Sequence, residues 1–409
     1  MPKTLLIISG GIEAVPGIIR AKAMGLHVVV SDYNPDAPGF SYADDQIIAS
    51  TYNIAETVAA AVGYHYNVRP LNGVICIAAD VPLTVATVAG RLGLPGIPIE
   101  TARLASDKLA MKKRFVEQGL TTPWFSSVAS DEHLKVIVKQ RGFNLVIKPV
   151  DSRGARGVAR LTEEVNLTWA FAVAQKNSPT GRVMVEEFVA GPQISTEAVL
   201  LNGKGYTLGF CDRNYEFLNR FAPYIIENGG TQPSILSDNN RRAVAELAVQ
   251  TGIALGVTTG VIKGDMVLGE SGPMVIEIAT RLSGGWFSTD QVPLHTGVDF
   301  IGAAIKLALG EPVIPEELMP QHQRGVAIRY FFPQLGRVER LPDTNKLNGM
   351  PGVHRIRFFV QPGEILEPVT NHTRRAGCVI TVGENREEAI VRAVDVVASA
   401  EAQFIVKQE

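Results

Sequence analysis

Val261-Ile262-Lys263-Gly264-Asp265-Met266-Val267-Leu268, then Gly269-Glu270-Ser271-Gly272-Pro273, then Met274-Val275-Ile276-Glu277-Ile278-Ala279 is the stretch whose reading decides the fold. Two apolar, strand-forming runs flank a segment of Gly, Ser and Pro, which is the pattern of a β-hairpin. With the turn centred on Ser271, Asp265 and Glu277 each stand six residues from it and oppose each other across an antiparallel ladder. Opposed side chains have Cβ atoms about 4.5–5.5 Å apart, where like charges destabilise the sheet. Carboxylates among Val, Ile and Met must also be paired, coordinated or protonated. A bound cation meets both demands, and two carboxylates completed by phosphate oxygens and water are a magnesium arrangement. The alternative is a different register, with the acids on opposite faces or in ordinary salt bridges.

Working outward, Thr280-Arg281-Leu282-Ser283-Gly284-Gly285 sets an arginine directly after this strand. An arginine adjoining a metal site can stabilise anionic charge developing in phosphoryl or acyl transfer; taken alone, Arg281 reads as a solvated surface residue. Upstream, Val146-Ile147-Lys148-Pro149 places a lysine inside an apolar strand, and Val150-Asp151-Ser152-Arg153-Gly154-Ala155-Arg156-Gly157-Val158 follows as a loop. Amides freed by glycines, with cations beside them, suit a polyphosphate; the competing reading is a basic hairpin turn. Met184-Val185-Glu186-Glu187-Phe188-Val189 is a strand run ending in acids, one of which could accept from an adenine amino group while strand backbone completes the recognition. Its competitor is an exposed acidic strand edge. Ser9-Gly10-Gly11 does not complete GxGxxG, and GxxxxGK followed by Ser or Thr does not occur, so the former reads as a structural turn.

The whole chain fits this picture. Its 409 residues are 46% apolar and 20% charged, enough for two or three domains with a substantial core. A formal charge of -2 gives no reason to expect nucleic acid or an anionic membrane as a partner. Cys76, Cys211 and Cys378 are too scattered for a disulfide framework or zinc knuckle, and the seven histidines show no HExxH. No GxSxG elbow occurs, which disfavours acyl-enzyme chemistry. The apolar run Leu5–Ile8 meets Ser9-Gly10-Gly11 before a signal peptide or membrane span is complete, so a soluble, cytoplasmic protein is expected.

Strand-like runs at Leu5–Ile8, His27–Val30 and Val74–Ile77 alternate with helical patterns, which predicts a parallel α/β domain over residues 1–105. From 106 to about 315 strands, hairpins and helices mix in an α+β pattern. Pro312, Pro315 and Pro320, with acids between, mark a connector at 311–322, and residues 320–409 read as a small β-rich unit ending in a helix over Asn385–Ala400.

Taken in order, Lys108, the Lys148 strand with its small-residue loop, Glu186-Glu187-Phe188-Val189, and Asp265 followed by Glu277 and Arg281 resemble the ATP-grasp superfamily. Asp32-Tyr33-Asn34-Pro35-Asp36 and Gly93-Leu94-Pro95-Gly96 leading to Ser106-Asp107-Lys108 resemble the pre-ATP-grasp domain of the branch holding biotin carboxylase and the purine-biosynthesis ligases. Glu277–Gly285 with Thr296-Gly297-Val298-Asp299 looks most like carboxylate–amine ligases, L-amino-acid ligases included. The resemblance implies ATP and Mg2+ as cofactors, an acyl-phosphate route to an amide or peptide bond, small-molecule carboxylate and amine substrates, and a homodimer. It implies that Lys108 and Lys148 hold phosphates, that the loop with Ser152, Gly154, Arg156 and Gly157 closes over them, and that Glu186, Glu187 and the backbone at Val189 meet adenine. Gln193 would contact the ribose, where the family usually has Glu. Asp265 and Glu277 would bind magnesium, Arg281 would stabilise the intermediates, and Gly284, Gly285 and Trp286 would adjoin the substrate. Ala279 stands where the family commonly has an Asn as a third metal ligand. Rival readings are a bicarbonate-using carboxylase of the same superfamily and a nucleotide-binding regulatory protein without turnover.

Overall fold

The computed structural model describes residues 1–407. Strands β1 (Thr4–Ile8), β2 (His27–Asp32), β3 (Asp45–Ile48) and β4 (Gly73–Cys76) form a parallel sheet in the order β3-β2-β1-β4. All five β1 residues are buried because both faces are covered. Leu5 and Ile7 face one core with Val28 and Val30, while Leu6 and Ile8 face another with Val29 and Val74. This two-residue alternation between two dry layers is why Leu5–Ile8 carries no polar residue, and each such side chain is worth about 1.5–3 kcal/mol buried. The first of these cores also takes Phe300, Ile301 and Ile305 from the helix Phe300–Ala308. The parallel sheet is thereby fused to the rest of the molecule. The chain winds β1 to β2 to β3 on one side and then places β4 on the other, so β1 and β4 flank the switch point whose crevice serves ligands in open α/β sheets.

A second sheet, β5 (Phe125–Val128), β6 (Leu145–Pro149), β7 (Ala159–Leu161) and β8 (Val183–Glu187), is antiparallel in the order β5-β8-β6-β7. Helices Asp131–Arg141 and Leu167–Lys176 back it, with the side chains of Ser130 and Asn166 capping their N-termini.

The largest sheet holds β9 (Gln193–Leu201), β10 (Lys204–Arg213), β11 (Gly230–Gln232), β12 (Gly260–Gly269), β13 (Gly272–Ala279) and β14 (Gly325–Phe331), followed, past β15 (Gly336–Arg340), by β16 (Val353–Phe358) and, past β17 (Ile365–Leu366), by β18 (Gly377–Gly383). Its order is β13-β12-β9-β10-β11-β14-β18-β16. β15 and β17 form a small sheet with β19 (Ile405–Lys407). The C-terminal strands thus continue the central sheet through β11 and β14, where Thr231 opposes Ala327, and a boundary near 315–320 crosses one continuous ladder. The buried Arg329 stitches that seam by donating to the carbonyls of Gly230 (3.1 Å) and Ile328 (2.8 Å).

The β12–β13 hairpin has the expected pairing, Asp265 opposite Glu277, by a route the sequence does not reveal. Gly269 opposes Gly272, so the turn is the two residues Glu270 and Ser271 and is centred half a residue before Ser271. A bulge then leaves Ile276 unopposed between the Met266–Val275 and Asp265–Glu277 pairs, and this extra residue restores the register. Among the described residues, no helix is long and apolar enough to cross a membrane.

Gly73 at the start of β4 marks the tightest join between the parallel sheet and the helix Phe300–Ala308: a Cβ there would lie 2.5 Å from the Ala308 carbonyl oxygen. Gly73→Ala is expected to destabilise the protein by about 1–3 kcal/mol through overpacking against backbone. Urea denaturation checks this, and a loss under about 0.5 kcal/mol would show the join to be pliable.

Candidate active site

A cleft of about 650 Å³ opens where the three layers meet. Its floor is the β12–β13 hairpin. Asp265 Oδ1 accepts from Arg213 Nη1 at 2.9 Å and lies 2.5 Å from Lys263 Nζ. Burial alone would raise the Asp265 carboxyl's pKa, but the Arg213 and Lys263 cations overcome this and hold it well below the usual carboxylate range. Arg213 is itself anchored on Glu227, with Nε donating to Oε2 at 2.7 Å. Across the ladder, Glu277 Oε2 lies 3.5 Å from Lys108 Nζ. The two carboxylates therefore share a face and a neighbourhood of three cations. Among the described residues no group of three or more His, Cys, Asp or Glu is placed to hold a metal, so the protein supplies two hard oxygen donors here and other ligands must come from elsewhere.

Lys108, at the start of the helix Lys108–Glu117, also donates to the Ser152 carbonyl at 2.8 Å, tying the hairpin to the 151–158 loop. Ser152, Gly154 and Arg156 line the cleft. Gly157 does not. It packs at φ +72° against Asn177 and Pro149, where a Cβ would lie 2.8 Å from the Asn177 Cβ, so its glycine serves the shape of the loop. Arg153 stacks on Tyr52 at 3.8 Å and donates to the Asp80 carbonyl at 3.1 Å, which brings the loop against the parallel sheet.

Lys148 on β6 points into the cleft, and its ammonium bonds Glu186 on the neighbouring strand β8. Glu186 is not a free acceptor, because Lys112 Nζ approaches its other oxygen at 2.9 Å. Lys112 is fully buried, and its remaining bond goes to Thr122 Oγ1 at 2.8 Å. Burial, with Lys148 adding repulsion and Glu186 opposing both, lowers the Lys112 pKa to about 8. Glu187, by the strand alternation, is exposed, and with Val189 and Gln193 it borders the cleft.

Arg281 is a half-buried residue of the cleft wall: Nε donates to Asp80 Oδ1 at 3.2 Å and Nη1 to the Leu282 carbonyl at 3.2 Å. Asp80 follows β4, and Glu13 follows β1, so both acids sit at the carboxyl ends of the strands that flank the switch point. Gly284 and Gly285 line the cleft, and Gly285 N donates to Glu13 Oε2 at 2.9 Å. Trp286 departs from expectation. Its backbone is left-handed, φ 53°, and the turn swings the indole into a core with Ile226, Ile328 and Tyr330, stacked on Phe359. Phe359 faces the cleft where Trp286 does not.

Sequence reading missed Glu13, Asp80, Lys112, Arg213 and Glu227, whereas Arg375 lies in the C-terminal stretch Arg374-Arg375 from which a part in substrate selection is expected. For Glu13 and Asp80 the signal was present: each lies a few residues beyond an apolar strand of a parallel sheet, on the side where such sheets bind ligands. Lys112 had none, because in sequence it is one of four basic residues on a basic helix.

The Lys112–Glu186–Lys148 triad makes a measurable demand on stability. Glu186→Gln leaves two lysines buried side by side and is expected to cost about 3–5 kcal/mol; Lys112→Met in that background should recover a large part, both read from urea midpoints. Because the folded pKa of Lys112, about 8, lies below its ordinary 10.5, the unfolded chain holds the proton more tightly over that interval. Stability should therefore rise with pH between those values, and rise less in Lys112→Met.

The chain is similar to known proteins in sequence and in fold. A family model described as an ATP-grasp domain matches residues 105–285, and one described as L-amino acid ligase C-terminal domain 2 matches residues 329–403. The chain is 27% identical to a D-alanine--D-alanine ligase of Cupriavidus pinatubonensis, over 67% of this chain and 81% of that one. It is 23% identical to dapdiamide A synthase of Enterobacter agglomerans, over 63% and 61% of the two chains. The crystal structure of an L-amino acid ligase from Bacillus licheniformis shares the fold, with a TM-score of 0.83 and 21% identity over 100% of this chain and 99% of that one. Residues 105–285 are thus an ATP-grasp domain, residues 329–403 match the C-terminal domain 2 of L-amino acid ligases, and the protein is an ATP-dependent, ADP-forming carboxylate–amine ligase.

Proposed function

We propose that the chain joins a small-molecule carboxylate to an amine through an acyl phosphate, with ATP and magnesium. The observation that carries this reading is the opposed pair Asp265 and Glu277 in one cleft with Lys108, Lys148 and Arg281. Two carboxylates on one face fit a magnesium ion that takes its remaining ligands from phosphate and water. When bound, that ion would neutralise phosphate charge during transfer. Lys108 and Lys148 bind the phosphates, with the loop carrying Ser152, Gly154 and Arg156 above them. The strand backbone from Glu186 through Val189 takes adenine, since the Glu186 carboxylate is already engaged by two lysines, and Gln193 takes the ribose. A carboxylate oxygen attacks the γ-phosphorus and ADP leaves; the amine nitrogen then attacks the acyl carbon, phosphate leaves and one amine proton is released. Arg281, whose guanidinium Asp80 fixes, stabilises the anionic charge of both steps. Holding acid and amine together in the cleft supplies the proximity advantage.

Incubation with ATP, magnesium and pooled metabolites, read by ADP release and mass spectrometry, should give an amide product. Stimulation by bicarbonate and by no acid–amine pair would overturn the substrate class; ATP binding without ADP formation across the panel would overturn turnover itself. Arg281→Met should lower kcat by about 10²–10³-fold, with ATP affinity by calorimetry retained.

A further inference from the structure

Beyond the nucleotide end, the cleft holds two opposite charges that are not paired with each other. Glu13 Oε2 is held by the Gly285 amide, and a Cβ on Gly284 would come within 2.6 Å of that oxygen, so the glycine leaves room for the carboxylate. No cation lies within ion-pair distance of Glu13 among the described residues. Burial raises its affinity for a proton, and Arg375 and Arg281 oppose this only at a distance. Arg375 lies 3.4 Å over the Tyr330 ring. Its hydrogen bonds go to two backbone carbonyls, His372 at 2.8 Å from Nε and Glu227 at 3.2 Å from Nη1. No carboxylate pairs with it among the described residues, whereas Arg213 is matched by Glu227 and Asp265, and Arg281 by Asp80. Gly285 stands between the two: its amide reaches Glu13, and a Cβ on it would lie 3.2 Å from Tyr330 Oη. The neighbouring Arg374 instead turns outward to Glu367.

We propose that Glu13 and Arg375 receive one zwitterion, the α-amino acid that donates the amine, with its ammonium on Glu13 and its carboxylate on Arg375. This rests on the ligase reading above. The polarity follows from placement. Glu13 contacts the glycine pair that follows Arg281, so the nitrogen that must reach the acyl carbon lies at the Arg281 end; there the ammonium passes one proton to the Glu13 carboxylate, the freed amine attacks and its second proton leaves with amide formation, while Arg375 holds the far end over Tyr330. A half-buried carboxylate without a cation and a half-buried guanidinium without an anion each carry a partial desolvation cost that a zwitterion offsets at once. The clamp also gives the parallel sheet, which contributes Glu13, a direct part in choosing the amine.

Hydroxylamine separates this proposal from the ligase reading, because it is a small nucleophile that carries no carboxylate and traps an acyl phosphate as a hydroxamate. The full-length protein is given ATP, magnesium and a pool of L-amino acids, with and without hydroxylamine. Absence of any hydroxamate or amide from the unaltered protein overturns the ligase reading and this proposal with it. Where hydroxamate forms, Glu13→Gln, which keeps an acceptor for the Gly285 amide, and Arg375→Gln should each raise KM for amino-acid donors about tenfold or more. The ratio of amide to hydroxamate product should fall in step. With α-amino amides as donors, which lack the carboxylate, the penalty of Arg375→Gln should vanish and that of Glu13→Gln persist. Equal losses with hydroxylamine and amino acids, or no change in either variant, would overturn the clamp. Thermal melting of each variant confirms that it is folded.

Discussion

Two carboxylates on adjacent strands, facing the same side, are an electrostatic cost that the sheet cannot absorb by itself. Around Asp265 and Glu277 the structure answers that cost three times, with Arg213 and Lys263 on one acid and Lys108 near the other. Each of these cations is in turn placed by something further away. Arg213 is braced by Glu227, and Lys108 is tethered to the Ser152 carbonyl, so the position of the loop is coupled to the hairpin floor. The cleft is thus organised outward from one pair of like charges.

The parallel sheet supplies more than a scaffold. Its lower face shares a core with the helix Phe300–Ala308, so it cannot shift without disturbing apolar packing on both sides. That rigidity matters because the loops leaving β1 and β4 carry Glu13 and Asp80 into the cleft. Asp80 holds Arg281 directly, and its backbone carbonyl also receives Arg153 of the 151–158 loop. One short loop therefore touches both the residue assigned to charge stabilisation and the segment assigned to phosphate closure.

The sequence made legible what depends on local pattern. Strand alternation, the breaker-rich turn and the lysine inside an apolar strand all lie within short windows, and the hairpin pairing followed from counting to Ser271 even though a bulge at Ile276 was needed to produce it. What stayed hidden depends on chain segments far apart. Glu13 meets Gly285 across 272 positions, and Arg375 meets the Glu227 carbonyl across 148, and no periodicity encodes such encounters. Trp286 shows the opposite failure: an aromatic beside two cleft glycines invites a binding role, yet its left-handed backbone commits the ring to the core.

Ala279 ties these levels together. In the ladder it opposes Lys263, whose ammonium reaches Asp265 on the same face of β12. An oxygen ligand at 279 would add a third acceptor to this floor, whereas an alanine adds none and leaves the lysine beside Asp265. The local positive charge is then partly built into the chain. With Arg213 also on Asp265, that acid enters any metal site already shared with two cations, and Glu277, which has only the longer contact to Lys108, is the freer donor. The charge on this floor is therefore unevenly shared: Asp265 fixes Lys263 and Arg213 beside it, while Glu277 keeps only the 3.5 Å contact to Lys108.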